Sequence, residues 1–415
     1  MRVLFGIDTW GLVGGTERYA ADVVPALEAR GHEVCVLCRE AHGGGPAPDL
    51  AHVPVLADEA FGEGHEEASE LARMARRARE LEPDVVFLQT ARNPAALAAL
   101  AEVAPVVRFV HDHTLFCPGL NKYREDGELC EKPLGLECLS RYWLKGGCVC
   151  FKKAGHSSHV IQPLRELFAK QRELAIHKKA AALVTNSEYM RGELVRAGMD
   201  PARVVALPMF TRSNSPAQPA GELPEPTRSF VADGEGPLLF TPARLTLPDK
   251  GVDYLLSALA LLERPFRAVI AGTGPAEEWL RQKAAEEGVA ERTHFTGWLD
   301  LGAVEALYAA ADLVVCPSVW NEPFGLVGLE AMAHEKPVVA FSVGGIPEWL
   351  DEGVTGLMAP RRDAWALSRN MLRILEDEAL AQRMGQAGRE RLERQFTHAL
   401  HLDRLEAVLD GAVAD

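Results

Sequence analysis

The sequence predicts an α/β protein made of two doubly wound domains, and three observations carry that expectation. Short, almost wholly apolar runs alternate with runs of helical length through both halves of the chain: VLFGI, DVVFL and PVVRFV in the first, PLLF, FRAVIA and LVVC in the second. Strands that are apolar on both faces and separated by helices are the pattern of a parallel sheet covered on both sides. The alternation breaks at 211–236, a stretch rich in Pro, Ser and Gly that reads as an exposed linker, and then starts again. Finally, 415 residues exceed one ordinary core. The expected division is a first domain over 1–210 with an irregular insert at about 111–159, the linker 211–236, a second domain over 237–390, and a C-terminal helix, 391–415, returning to the first domain. Two such domains would face one another across a central cleft.

The elements follow in order. MRVLFGI is a strand and leads into a glycine-rich loop, with a helix from Thr16 to about Ala29. EVCVLC (strand), HEEASELARMARRAREL (helix), DVVFLQT (strand), PAALAALAEV (helix) and PVVRFVH (strand) come next. After the insert and a long basic helix, ALVTNS is another strand. In the second half the strands are PLLFTPAR, FRAVIAG, THFTGW, LVVCPS, PVVAFSV and VTGLMAP. The helices GVDYLLSALALL, EEWLRQKAAEEG, VEALYAAA and GLVGLEAMAH lie between them, and an amphipathic helical tail runs from about Ala364 to Val413.

Charge narrows the partners. A formal net charge of -15 argues against a nucleic-acid binder. The segment 141–203 runs the other way, with twelve Lys and Arg against five Asp and Glu. It is either a set of solvated helix faces or a contact for anionic lipid or a phosphorylated acceptor. Arg2 followed by VLFGI reads as a first strand and not as a leader, and no apolar run approaches the roughly 18 residues of a spanning helix. A cytoplasmic location, with peripheral membrane contact through 141–203, is the expectation.

The chemistry is expected just after the strands, where doubly wound sheets bind ligands. LVVCPS is a strand, so SVWNEPFG is the loop at its carboxyl end and GLVGLEAMA begins a helix. Pro323 and Gly325, flanking Phe324, let the backbone turn tightly. The amides of Gly325, Leu326 and Val327 then stand at the positive end of the helix, a site suited to a diphosphate. Two acids bracket that turn, Glu322 in the loop and Glu330 on the helix. Arg244 and Lys250 follow PLLFTPAR around a turn containing Pro248, and two cations there can neutralise a leaving diphosphate. Gly272 and Gly274 form another strand-end turn, and Trp298 after FTG is either a binding or a core aromatic. In the first half, Gly14 and Gly15 precede a helix with Thr16 as N-cap, and His111 ends a strand. The glycine spacing is not that of a nicotinamide site.

These blocks (PARLTLPDKGVDYLLSAL, VIAGTGP, FTGW, LYAAADLVVCPSVWNEPFGLVGLEAMA and PVVAFSVGGIPEWLDEGVTG) resemble, in order and spacing, the retaining nucleotide-sugar glycosyltransferases of the GT-B fold, family 4. The likeness covers 237–360 closely and the first domain more loosely. It implies two Rossmann-like domains and a hexosyltransferase-type activity moving a sugar from a UDP-, GDP- or ADP-linked donor to a glycan or lipid-linked acceptor. In that family Glu322 would contact the sugar and Glu330 the ribose, Arg244 and Lys250 would hold the diphosphate, and Trp298 would line the base region. Gly14, Gly15 and His111 would lie near the donor and acceptor. The mechanism implied is front-face attack without a metal. Two residues depart from the family pattern: Ala243 stands where a glycine is usual, and Glu335 stands where a glycine normally supplies a left-handed helix cap. Other readings on the same scaffold are a nucleotide-sugar epimerase, a phosphorylase, or a non-catalytic sugar- or metal-binding protein.

The insert holds Cys117, Cys130, Cys138, Cys148 and Cys150, with His113, His156 and His159 nearby. Such a loop has little apolar core and needs a staple. Four of the thiolates can hold a structural Zn²⁺, although their spacing is irregular. Unlinked thiols, a disulfide and an iron–sulfur cluster are the alternatives. Cys35, Cys38 and Cys316 lie in strands and read as small core residues.

Overall fold

The computed structural model describes residues 1–11, 15–41, 50–90, 92–118, 122–124, 127–144, 161–211 and 221–414. The chain forms two compact units, Met1–Pro208 with Ala399–Asp415, and Met209–His398.

The first unit holds seven strands, all parallel: β1 (Arg2–Trp10), β2 (Glu33–Ala41), β3 (Val55–Ala57), β4 (Val85–Leu88), β5 (Val106–Val110), β6 (Ala182–Thr185) and β7 (Val204–Ala206), in the order β3-β2-β1-β4-β5-β6-β7. β4 and β6 are buried at every position, as their unbroken apolar sequences require. β3 and β7 are three-residue strands at the sheet edges, too short to leave a periodic signal in the sequence. The helix after β1 begins at Gly15, one residue ahead of the expected N-cap Thr16, and runs to Ala29. The core on one face gathers Leu4, Leu37, Val86, Leu97, Val106 and Leu194.

The C-terminal residues complete this unit. Arg30 pairs with Asp403 at 2.7 Å and Glu406 at 2.6 Å, and His32 reaches Glu406 at 2.8 Å. Beneath them His401 Nδ1 donates to the Pro208 carbonyl at 2.8 Å. Its Nε2 must then accept, so the Tyr19 hydroxyl donates to it at 2.7 Å.

The second unit holds six parallel strands: β8 (Leu238–Pro242), β9 (Arg267–Ala271), β10 (Thr293–Gly297), β11 (Leu313–Cys316), β12 (Val338–Phe341) and β13 (Gly356–Ala359), ordered β10-β9-β8-β11-β12-β13. The order reverses between β8 and β11, the place in such sheets where ligands bind at the carboxyl ends of the strands. In the first unit the reversal falls between β1 and β4.

Part of the expected linker is not a linker. Residues 221–236 pack on the second unit through a helix, Thr227–Asp233. Thr227 is buried and meets His294 Nε2 at 3.0 Å, Phe230 stacks on the same imidazole at 5.1 Å, and Gly221 N donates to Gly302 O at 2.9 Å. The Pro and Gly content there shapes a tight path and does not mark a free tether. Residues 212–220 lie outside the described residues.

The helix after β11, Leu326–Ala333, ends on Glu335 in the left-handed region, φ 54°. Lys336 N donates to Ala331 O at 3.0 Å and Glu335 N to Met332 O at 3.1 Å, the paired bonds of a Schellman cap. The cap therefore forms without the glycine. Opposite it, a Cβ on Gly385 would come within 1.9 Å of the Glu335 carbonyl, so the helix Glu378–Gln395 packs against the cap only where it lacks a side chain.

Candidate active site

The charged residues singled out in the second half lie on the segments that follow β8 and β11, the two strands at which the order reverses. The turn after β8 carries Arg244 and Lys250 and passes through a cis Leu247–Pro248 bond. The loop after β11 is latched to that turn: Val319 N donates to Asp249 O at 2.9 Å, and Ser318 Oγ lies 3.3 Å from the same carbonyl. At their junction Lys250 Nζ lies 2.7 Å from Glu322 Oε1, which also accepts from Ser318 Oγ at 2.6 Å. The ammonium sits 5.1 Å from the centre of the Trp320 ring.

This pair is ionic. Burial pushes the Glu322 carboxyl up, but Lys250, Ser318 and Trp320 outweigh it and hold the pKa below its ordinary value. Burial likewise pulls the Lys250 ammonium down, and the Glu322 carboxylate more than restores it, leaving the pKa raised. A buried charge is kept only where a partner and hydrogen bonds replace its water, and both are present here. The β11 thiol of Cys316, next to Glu322, is pushed up to about 12, chiefly by burial, and stays neutral.

Glu322 is fixed from the backbone as well. Gly345 N donates to Glu322 O at 2.8 Å. Gly344 adopts φ 53°, and a Cβ there would come within 2.2 Å of the same carbonyl. The Gly-Gly pair after β12 is thus what lets the Glu322 loop lie flat against its neighbour. Pro323 and Phe324 are buried, and Trp349 Nε1 donates to Phe324 O at 2.7 Å. Gly325 takes φ 96° and starts the helix with no side-chain cap. The amides of Leu326 and Val327 have no acceptor among the described residues. One turn further on, Glu330 Oε2 accepts from the Tyr308 hydroxyl at 2.6 Å.

Arg244 is exposed, and its guanidinium has no ion pair or hydrogen bond among the described residues. Gly272 and Gly274 serve this loop from behind. A Cβ on either would come within 2.1 and 2.2 Å of the carbonyls of Ala243 and Leu245. Leu245 N donates to Thr273 O at 3.0 Å. Their lack of side chains seats the Arg244 backbone. Trp298 is 76% exposed and so is not a core residue.

In the first unit, Gly14 lies outside the described residues, and a Cβ on Gly15 would meet nothing within 4 Å. His111, after β5, stacks on Phe109 at 4.2 Å, and its Nε2 lies 2.9 Å from Gln89 Oε1. Burial, helped by the Arg108 cation and His401, pulls its pKa down to about 3, so the imidazole is neutral. His113, the rival two residues on, is fully buried beside the Tyr189 hydroxyl at 3.0 Å.

In the insert, Cys117 and Cys130 are buried and Cys138 is half-buried, and Cys148 and Cys150 lie outside the described residues. Among the described residues no group of three or more His, Cys, Asp or Glu converges as a metal site, so Cys117, Cys130 and Cys138 do not assemble one by themselves. No described helix is long and apolar enough to cross a membrane.

Several partners escaped the sequence reading: Ser318 under Glu322, Tyr308 under Glu330, Gly344 and Gly345 behind the loop, and Gln89 on His111. Only the Gly-Gly pair leaves a sequence signal, a doublet directly after an apolar strand.

Comparisons with known proteins give the family and the fold. The model of the glycosyl transferases group 1 matches residues 225–391, and that of glycosyltransferase family 4 matches 13–211. A glycogen synthase of Mycobacterium tuberculosis is 39% identical over 151 residues, 36% of this chain and 36% of that protein, so the match spans little more than a third of that relative's length. A D-inositol 3-phosphate glycosyltransferase of Salinispora tropica is 29% identical over 83% of this chain and 80% of its own. Among solved structures, Anabaena HepE in complex with UDP superposes with a TM-score of 0.69 at 21% identity, covering 99% of this chain and 100% of that one.

Proposed function

The chain belongs to the family 4 glycosyltransferases of the GT-B fold, and from that premise we propose that it moves a sugar from a nucleotide-diphosphate donor to an acceptor hydroxyl with retention. The observation that carries the reading is the Lys250–Glu322 ion pair, placed where the strand order reverses and in the loop that leads into the helix begun by the open amides of Leu326 and Val327. Lys250, Arg244 and those amides form a cationic rim suited to a diphosphate leaving group, with no metal required. A UDP donor is the working choice, because UDP occupies the similarly folded HepE.

Glu322 acts as an anchor. Its Oε1 is held by Lys250 and Ser318, which fixes the ammonium under the diphosphate and makes the carboxylate a poor nucleophile. Transfer then runs on one face of the sugar. The bond from the anomeric carbon to the diphosphate oxygen breaks, the bond to the acceptor oxygen forms, and the acceptor proton passes to the departing diphosphate. Neutral His111 orients an acceptor or sugar hydroxyl and carries no charge at neutral pH.

The acceptor is a glycan or lipid-linked intermediate. On the exposed face of the helix Gln162–His177, Arg165, Phe168 and Arg172 follow at i, i+3 and i+7, an arrangement fit for an anionic membrane surface. A thermal-shift panel of UDP-, GDP- and ADP-sugars tests the donor reading. One ligand at 100-fold excess over its Kd adds about 2.7 kcal/mol. Glu330→Ala and Arg244→Ala should each lower that gain, and a panel with no responding nucleotide sugar overturns the assignment.

A further inference from the structure

We propose that Tyr308 is a positioning residue for donor binding, acting through Glu330; this rests on the reading of Glu330 as the ribose contact and adds to it. Tyr308 lies on the helix Leu301–Ala310, at the start of the block LYAAADLVVCPSVWNEPFGLVGLEAMA, where the sequence reading gave it no role of its own. Its ring is wholly buried, edge-on to Phe240 at 4.9 Å and stacked on His334 at 5.6 Å and 9°. A phenylalanine would fill that slot equally well. A buried phenol needs a hydrogen-bond partner, and the hydroxyl finds it in Glu330 Oε2 at 2.6 Å, with Val327 O further off at 3.4 Å.

The direction of that bond is fixed by chemistry. Both acceptors are bare oxygens, so Tyr308 donates. Burial first, and then the neighbouring carboxylates, push the phenol pKa well above its ordinary value, which keeps the proton in place. Glu330 projects from the second turn of a helix on a stem with three rotatable bonds. A carboxylate that must receive two ribose hydroxyls together gains from having its plane set beforehand, because the rotamer freedom is then lost on folding and not on binding. Tyr308 and Glu330 come from different helices on either side of β11, so the bond also ties the ribose end of the site to the rigid frame of the sheet.

The test uses the full chain and Tyr308→Phe. Binding of UDP, of its 2′-deoxy and 3′-deoxy forms, and of inorganic pyrophosphate is measured by calorimetry, and steady-state kinetics are run with the UDP-sugar found to react. Tyr308→Phe should weaken UDP about tenfold, the loss of one hydrogen bond to a charged group, and should leave pyrophosphate unchanged. The penalty for removing a ribose hydroxyl should shrink in the variant, since both changes act on the same carboxylate. KM for the donor should rise with kcat unchanged. Equal weakening of pyrophosphate, or an undiminished deoxy penalty, assigns Tyr308 a packing role only and overturns the proposal. Wild-type protein that prefers no nucleotide over pyrophosphate overturns the ribose reading of Glu330 and this inference with it. If Tyr308→Phe melts early, Glu330→Gln, which keeps an oxygen for the Tyr308 hydroxyl, must still lose affinity for UDP and not for pyrophosphate.

Discussion

The two units share one scaffold and use it in opposite electrostatic ways. In the second unit the strand ends carry a buried, ionised pair, Lys250 and Glu322, beside unsatisfied helix amides. In the first unit the end of β5 carries a neutral imidazole: His111 against Gln89 and Phe109, with Tyr19 and His401 behind. Both units bury ionisable groups just after strand ends, the second at its switch point between β8 and β11, the first one strand further along, after β5. Lys250 and Glu322 keep their charge by pairing, whereas desolvation strips the charge from His111. A diphosphate demands fixed positive charge, while a hydroxyl to be oriented asks only for neutral donors and acceptors.

The sharpest way to break this contrast is to remove one member of the pair. Lys250→Met leaves the Glu322 carboxylate buried without its cation. The second unit should lose about 3–5 kcal/mol, and turnover should fall at least a hundredfold. The double variant Lys250→Met with Glu322→Gln should recover most of the stability and none of the activity. Thermal melts and donor-turnover assays of the three proteins check this; full stability in Lys250→Met alone would mean the pair is not buried in solution.

Acid separates the units next. His111 and His177 both have folded pKa values of about 3, lowered chiefly by burial from an ordinary 6.5. Below pH 6.5 the unfolded chain takes up protons that the folded first unit refuses, so stability falls with pH. Each imidazole costs about 1.4 kcal/mol per pH unit until its folded value is reached. In the second unit Glu322 is held below the ordinary carboxylate value, so its contribution is present above pH 4.5 and declines only as pH falls through the depressed value. Hydrogen exchange at pH 7 and pH 5 should therefore show the first unit loosening while the Lys250–Glu322 region stays protected.

The smallest effect concerns the scaffold alone. Glu335→Gly relieves a left-handed side-chain residue at φ 54° while loosening the unfolded chain, for a net gain of about 0.5–1 kcal/mol. The gain should appear in the melting temperature and leave donor affinity unchanged. Altered donor binding would show that the cap and the Glu330 helix are coupled.

Much of this was legible in residue order. The apolar strands and the restart of the alternation are local signals, and the Arg244, Lys250, Glu322 and Glu330 positions follow strand ends and were singled out by the resemblance of the blocks around them. The short strands β3 and β7 were not, since three residues at a sheet edge carry no periodicity. Residues 221–236 misled because Pro and Gly mark any tight path, and only the contacts of Thr227 and Phe230 show the path to be packed. Glu335 looked like a broken cap, and the Schellman bonds show that backbone hydrogen bonding outweighs one unfavourable φ.

By itself the sequence determined the class, the two sheets and which side chains gather near the second unit's strand ends, because hydrophobic period and turn chemistry act over a few residues. The tertiary structure decided which of those side chains pair. Lys250 meets Glu322 across 72 positions and Tyr308 meets Glu330 across 22, and burial sets whether each group is charged. Contact and desolvation depend on what the whole fold brings together, and no local pattern encodes them.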